Sequence, residues 1–285
     1  MDYRTLIDAS ALAARLADGD WLIADCRFDL KQPSWGEDSY ATAHIPGAVY
    51  VHLDRDLSAA KTGTTGRHPL PSPDEAAATF GRLGIDASTQ VVAYDQDAGM
   101  YASRLWWMLR WLGHDRVAVL DGGLAGWVAE GRPTRAGHES RPGRVFHAAV
   151  RPAMLATTAD IEPLVQRGFA LVDARAPERF RGEVEPIDRV AGHIPGAKNH
   201  FFQSNLDAHG RFKPASALAV QFAHTLGGVT SDRTVCYCGS GVTACHDLLA
   251  MEHAGLGGAR LYAGSWSEWS SDQGRAIETG EPRQD

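Results

Sequence analysis

The apolar positions of the chain fall into short β-branched or Leu-rich runs, separated by longer stretches with helical spacing. Trp21–Asp25, Val49–Val51, Gln90–Tyr94 and Arg116–Leu120 have strand length and end at polar residues or turn formers. Between them, Ala11–Leu16, Pro73–Leu83, Gly99–Leu112 and the stretch from Asp121-Gly122-Gly123 to about Glu130 predict helices. Ser10 is placed to cap the first of these. Pro73 and Gly84 bracket the second, and Gly113 closes the third. The stretch around Lys31–Asp38 and residues 54–73 predict loop. Trp106, Trp107 and Trp111 fall at helical spacing, and core packing is their simplest role.

Residues 131–152 carry Gly, Pro and Arg with few apolar side chains and read as a linker, after which the pattern returns. Ala170-Leu-Val-Asp173-Ala-Arg175 repeats Leu22-Ile-Ala-Asp25-Cys-Arg27. Gly192-His193-Ile-Pro-Gly-Ala197 repeats Ala43–Ala48. Pro214–Leu226 repeats the helix at 73–83, Thr234–Tyr237 repeats Val91–Tyr94, and Arg260–Trp266 repeats Val119–Trp127. The common order makes this a tandem duplication. Each half predicts an α/β domain, a parallel sheet flanked by helices with ligands at the carboxyl ends of the strands. The expected domains are 1–132 and 153–285, joined by 133–152.

The second copy differs from the first at one such strand end. Thr234–Tyr237 runs into Cys238-Gly239-Ser240-Gly241-Val242-Thr243 and then into the helix former Ala244–Met251. A cysteine here faces a ring of backbone N–H groups and the positive end of a helix. Both favour the thiolate over the thiol and make the sulfur a nucleophile. Gly239 and Gly241 let the backbone curl and approach a ligand closely. The first copy has Asp95 at this place, which cannot act as a sulfur nucleophile, so the second half is expected to carry the chemistry.

Composition narrows the classes. Hydrophobic residues make up 44% and charged residues 22%, with a net charge of −7, so nothing basic argues for nucleic acid or an anionic membrane surface. No apolar run approaches a membrane span, and the N-terminus lacks the apolar core of a signal peptide, so the cytoplasm is expected. Four cysteines, Cys26, Cys236, Cys238 and Cys245, are too few and too unevenly spread for a disulfide framework. Their spacing with His246 fits no usual zinc site, so no metal and no cofactor is expected. Cys26, Cys236 and Cys245 read as packed residues.

These features resemble the two-domain rhodanese-like sulfurtransferases over almost the whole chain. The likeness rests on the Asp-x-Arg strand ends, the paired His-Ile-Pro-Gly-Ala segments, Asp121-Gly-Gly and the loop after Cys238. Cys238-Gly-Ser-Gly-Val-Thr243 looks like the mercaptopyruvate branch, whereas the thiosulfate branch typically has basic residues directly after its cysteine. The resemblance implies tandem rhodanese-like domains, a catalytic Cys238 and a persulfide intermediate. It implies a small-molecule sulfur donor and a thiol acceptor such as a thioredoxin-like protein, or cyanide. Ser240, His68 in Gly66-Arg-His-Pro-Leu70 and Asp54 in His52-Leu-Asp-Arg55 resemble the proton-handling Ser, His and Asp of that branch. Arg179 in Glu178-Arg-Phe-Arg-Gly182 matches a substrate-binding arginine, Arg189 is the candidate for a second, and Tyr101 matches a residue near the substrate. Gly239, Gly241, Val242 and Thr243 would line the persulfide cradle.

The chemistry supports the same reading. Sulfur transfer needs a thiolate and a cradle of N–H groups for a charged persulfide, with no cofactor. A mercaptopyruvate donor leaves as an enolate that needs a proton, and its carboxylate wants an arginine fork. Thiosulfate, the alternative donor, is a dianion for which Gly239-Ser240 offers no cation. A cysteine phosphatase would need an arginine where Ala244 stands. A regulatory binding module would not need an intact nucleophile loop. His44 and His193 recur in both halves, including the half without a nucleophile, and therefore read as structural, as do Asp25 and Asp173.

Overall fold

The computed structural model describes residues 2–96 and 98–281. They form two units, each built on one five-stranded sheet. The first unit runs β1 (Leu6–Ile7), α1 (Ala9–Ala13), β2 (Trp21–Asp25), α2 (Trp35–Thr42), β3 (Ala48–Tyr50), α3 (Leu53–Asp56), α4 (Pro73–Arg82), β4 (Gln90–Tyr94), α5 (Ala102–Trp111), β5 (Val117–Leu120) and α6 (Gly123–Ala129). The second runs β6 (Leu155–Ala156), α7 (Thr158–Gln166), β7 (Ala170–Asp173), α8 (Pro177–Phe180), β8 (Lys198–Asn199), α9 (Ala215–Leu226), β9 (Thr234–Tyr237), α10 (Ala244–His253), β10 (Arg260–Tyr262) and α11 (Ser265–Trp269).

The sheet orders are β1-β5-β4-β2-β3 and β6-β10-β9-β7-β8, with every pairing parallel. The strand registers match as well: Asp25 lies beside Tyr94 and Asp173 beside Tyr237. The central strands β4 and β9 are buried along their whole length, as strands covered on both faces must be. Trp106, Trp107 and Trp111 of α5 are buried, with the last two rings stacked at 5.7 Å.

The repeated polar residues hold loops. Arg27 grips both oxygens of Asp25 and also donates to the Ala43 carbonyl at 2.7 Å. Arg175 grips Asp173 and donates to Gly192 O at 2.8 Å. The Nδ1 atoms of His44 and His193 hydrogen-bond to the carbonyls of Tyr40 and Phe180 at 2.8 and 2.7 Å, and their backbones form isolated bridges to Arg135 and Glu278. Each histidine ties the chain after its helix back to a later segment of the same half.

Several boundaries differ from the sequence reading for local reasons. Asp8, not Ser10, caps α1, accepting from Ala11 N at 2.8 Å. Helix α5 starts at Ala102 rather than Gly99, because the Gly99 and Tyr101 amides are held by the Asp95 carboxylate. Helix α2 occupies part of a stretch expected as loop and buries only Gly36 and Tyr40. Helix α7 accommodates Pro163 inside it, offset by a capping box between Thr157 and Asp160.

Residues 133–151, expected as linker, pack on the first unit: Arg144 N donates to Gly81 O at 2.8 Å, and Phe146 meets the Phe80 ring edge-on. Residues 60–69 belong with the second unit although they precede α4, and residues 208–212 belong with the first. No helix among the described residues is long and apolar enough to cross a membrane.

Candidate active site

Strand β9 delivers Cys238 to the carboxyl edge of the second sheet, and α11 fixes the loop that follows. Cys238 N donates to Ser265 Oγ at 3.1 Å, and the Cys238 and Gly239 carbonyls accept from Trp266 N and Ser267 N at 2.9 Å each. Gly241 has φ +75°, and a Cβ there would stand 2.4 Å from the Ala263 carbonyl oxygen. Both the conformation and the space therefore exclude a side chain at that turn. Among the described residues, the N–H groups of Gly239, Ser240, Val242 and Thr243 donate to no other backbone group.

The first unit shows what this strand–loop–helix arrangement binds. Asp95 occupies the place that Cys238 takes in the second unit. Its carboxylate accepts from Gly99 N at 2.9 Å, Tyr101 N at 2.6 Å and Ala102 N at 2.8 Å. An anion attached to the residue after the central strand is thus held by the amides of the loop and the helix start. Cys238 takes the corresponding place at the end of β9.

The segment Gly66–His68 reaches this loop by docking on α11. Arg67 N donates to Ser267 Oγ at 3.1 Å, and Gly66 lies so close to Gly264 that a Cβ would meet its carbonyl oxygen at 2.6 Å. His68 follows, buried, with its Nδ1 sharing a 2.7 Å hydrogen bond with Ser240 Oγ. Beside Gly239 lie two guanidinium groups. A Cβ on Gly239 would stand 2.6 Å from Arg67 Nη2 and 3.7 Å from Arg179 Nη2. The loop has no cation of its own, as its sequence indicates, but two cations from other segments flank it.

Those arginines are paired. Arg67 bridges Asp188. Arg179 binds Glu185 at 2.7 Å and Asp188 at 3.2 Å. Glu185 also meets Arg175 at 3.3 Å and accepts the Ile187 and Asp188 amides at 3.0 Å each. Burial pushes the Asp188 carboxyl up, opposed by Arg67. Burial also raises Glu185, but hydrogen bonds from Arg179 and the amides carry it below the usual carboxylate range.

Beneath the loop, Asp247 in the first turn of α10 is fully buried and accepts from Asn205 Nδ2 at 2.8 Å. Its Oδ2 has no hydrogen bond among the described residues, and burial pushes its carboxyl well up. Burial thus favours the neutral form of Asp247, the form that adds no charge against a thiolate at Cys238. Cys236 and Cys245 are buried, the first against Met251 and the second 3.3 Å from the Gly241 carbonyl, and burial raises the Cys236 thiol.

Of the residues singled out from the sequence, Cys238, Gly239, Ser240, His68 and Arg179 come together in the second unit. Asp54 and Tyr101 belong to the first. The Asp54 amide is capped by His52 Nδ1 in α3, and the Tyr101 ring packs edge-on against Phe28. Arg189 is exposed, and the second guanidinium beside Gly239 is Arg67. Arg67, Glu185 and Asp188 had one sequence signal, their nearness to His68 and to the Arg179 motif.

The model of the rhodanese-like domain matches this chain twice, at residues 8–130 and 157–272. A Pseudomonas aeruginosa protein named "Probable 3-mercaptopyruvate sulfurtransferase" is 50% identical, over 99% of this chain and 100% of its own length. A thiosulfate sulfurtransferase of Gallus gallus is 35% identical, over 90% of this chain and 86% of its own. The structure of 3-mercaptopyruvate sulfurtransferase from Leishmania major superposes with a TM-score of 0.82 at 32% identity, covering 94% of this chain and 74% of that one. With its duplicated sheet and its cysteine loop, the chain belongs to the rhodanese-like family.

Proposed function

We propose that the protein is a sulfurtransferase that takes sulfur from 3-mercaptopyruvate onto Cys238 and passes it to a thiol or to cyanide. The Cys238 thiolate attacks the thiol sulfur of the donor. An S–S bond forms, the donor's C–S bond breaks, and the bonding pair leaves on carbon as the enolate of pyruvate. A proton returned to that carbon completes pyruvate, and Cys238 carries the persulfide. Attack by an acceptor on the outer sulfur regenerates the thiolate. The amides of Gly239–Thr243 hold the persulfide charge, and Arg179 binds the donor carboxylate.

The observation that carries the reading is the buried hydrogen bond between Ser240 and His68 at 2.7 Å. An enolate needs a proton donor beside the nucleophile, and departing sulfite does not. Ser240 donates that proton and His68 resupplies it. Ser240→Ala and His68→Asn are therefore expected to lower kcat/KM for mercaptopyruvate by about a hundredfold, the lower end of general acid–base effects, and to lower the thiosulfate value far less. Steady-state kinetics with both donors and cyanide as common acceptor reads this. Equal losses with both donors would remove the proton-relay role.

A second reading, thiosulfate as main donor, draws support from the guanidinium groups of Arg67 and Arg179 beside Gly239. Cations there would favour sulfite as it departs. In wild type, kcat/KM for mercaptopyruvate is expected to exceed that for thiosulfate by at least about tenfold, roughly 1.4 kcal/mol in transition-state stabilisation. The reverse order would install the second reading.

A further inference from the structure

Resting on the sulfurtransferase reading, we propose that Glu185 and Asp188 set the donor specificity of the Cys238 site by neutralising the two guanidinium groups beside it. Arg67 and Arg179 both lie beside Gly239, the residue after the nucleophile, where a Cβ would stand 2.6 Å from Arg67 Nη2 and 3.7 Å from Arg179 Nη2. Unopposed, two cations at that place would suit a dianionic donor and the doubly charged sulfite that leaves it. They are opposed one for one. Asp188 takes Arg67 with one oxygen and Arg179, at 3.2 Å, with the other. Glu185 takes Arg179 Nη2 at 2.7 Å and Nε at 3.2 Å.

The carboxylates are built in. Their side chains are 4% and 5% exposed, against 16% for Arg179 and 22% for Arg67. Glu185 is pinned by the amides of its own turn, Ile187 N and Asp188 N, and by Arg175, whose guanidinium is fixed in turn by Asp173. Charges therefore alternate from Asp173 through Arg175, Glu185, Arg179 and Asp188 to Arg67. Two cations and two anions leave the part beside Cys238 with no net charge. A monoanion whose charge sits on a carboxylate several bonds from its sulfur still finds an arginine N–H to bind. A dianion with charge close to the transferred sulfur gains little from cations already neutralised, because opposite charges within a few ångströms cancel most of the field.

The test uses the full-length protein with Asp188→Asn and Glu185→Gln made separately, since each amide keeps the size of the carboxyl and one acceptor oxygen. In each variant the ratio of kcat/KM for thiosulfate to that for mercaptopyruvate should rise about tenfold over wild type, and the gain should shrink at high salt. A purely structural role would lower both values together and leave the ratio unchanged, which would overturn the assignment. A second arm needs no turnover. Sulfate, a dianion, should protect Cys238 from alkylation by iodoacetamide at about tenfold lower concentration in each variant than in wild type, with the modified peptide identified by mass. Unchanged protection overturns the proposal. If wild type fails to use mercaptopyruvate, the donor reading falls, and the sulfate arm alone decides the role of the carboxylates. Should one variant fail to fold, the other carries both arms.

Discussion

The Asp95 carboxylate accepts from the Gly99, Tyr101 and Ala102 amides, and the Cys238 sulfur stands at the same place in the repeat. One half fills that position with a hydrogen-bonded carboxylate, and the other places a thiol there. Around Cys238, the proposed mechanism assigns single contacts to separate tasks: Ser240 and His68 to a proton, Arg179 to a carboxylate. Arg179→Ala is expected to raise KM for mercaptopyruvate about ten- to hundredfold by removing a charge-assisted contact, with a smaller change in kcat. Glu185 and Asp188 keep Arg175 and Arg67 as partners in that variant, so the fold should survive. An unchanged KM would mean that the carboxylate is held elsewhere, and Arg67 would be the next residue to replace.

Helix α10 begins directly after the loop and buries Asp247 in its first turn beneath it. Asn205 donates to this carboxyl and also meets His246 Nδ1 at 3.2 Å, with Cys238 and Asp173 within electrostatic reach of the carboxyl. Because burial raises its pKa in the folded state, the folded protein holds a proton there that the unfolded chain releases near pH 4. Stability contributed at this position therefore falls as pH rises above about 4. Asp247→Asn, which cannot ionise, should melt higher than wild type at neutral pH, with the difference vanishing below about pH 4. Thermal melts across pH check this, and a lower melting temperature at neutral pH would contradict it. The elements were unequally legible in the sequence. Strands β2, β4, β7 and β9 coincide with their apolar runs, because a strand buried on both faces has little polar surface to blur it. Helix α7 is hidden by Pro163, and α2 by a stretch with few apolar residues to mark it.

Across the whole chain, the duplication makes the site readable, because it supplies an internal comparison for every motif. Recurrence separates His44, His193, Asp25 and Asp173, which tie loops in both halves, from Cys238, which occurs once. What recurrence cannot reveal is ion pairing. Arg67 reaches Gly239 because the segment 66–68 docks on α11, and Asp188 meets it through an irregular turn with no periodic signature. The same duplication limits the chemistry to one sulfur per chain, since the first unit presents Asp95 where the second presents Cys238. The most direct test is a single exposure of the protein to 3-mercaptopyruvate without acceptor, with intact mass and released pyruvate measured together. Wild type, Cys236→Ser and Cys245→Ser should each gain one sulfur atom and release one pyruvate per chain, and Cys238→Ser should do neither. Sulfur retained on Cys238→Ser, or a wild-type protein that releases no pyruvate, would contradict the account.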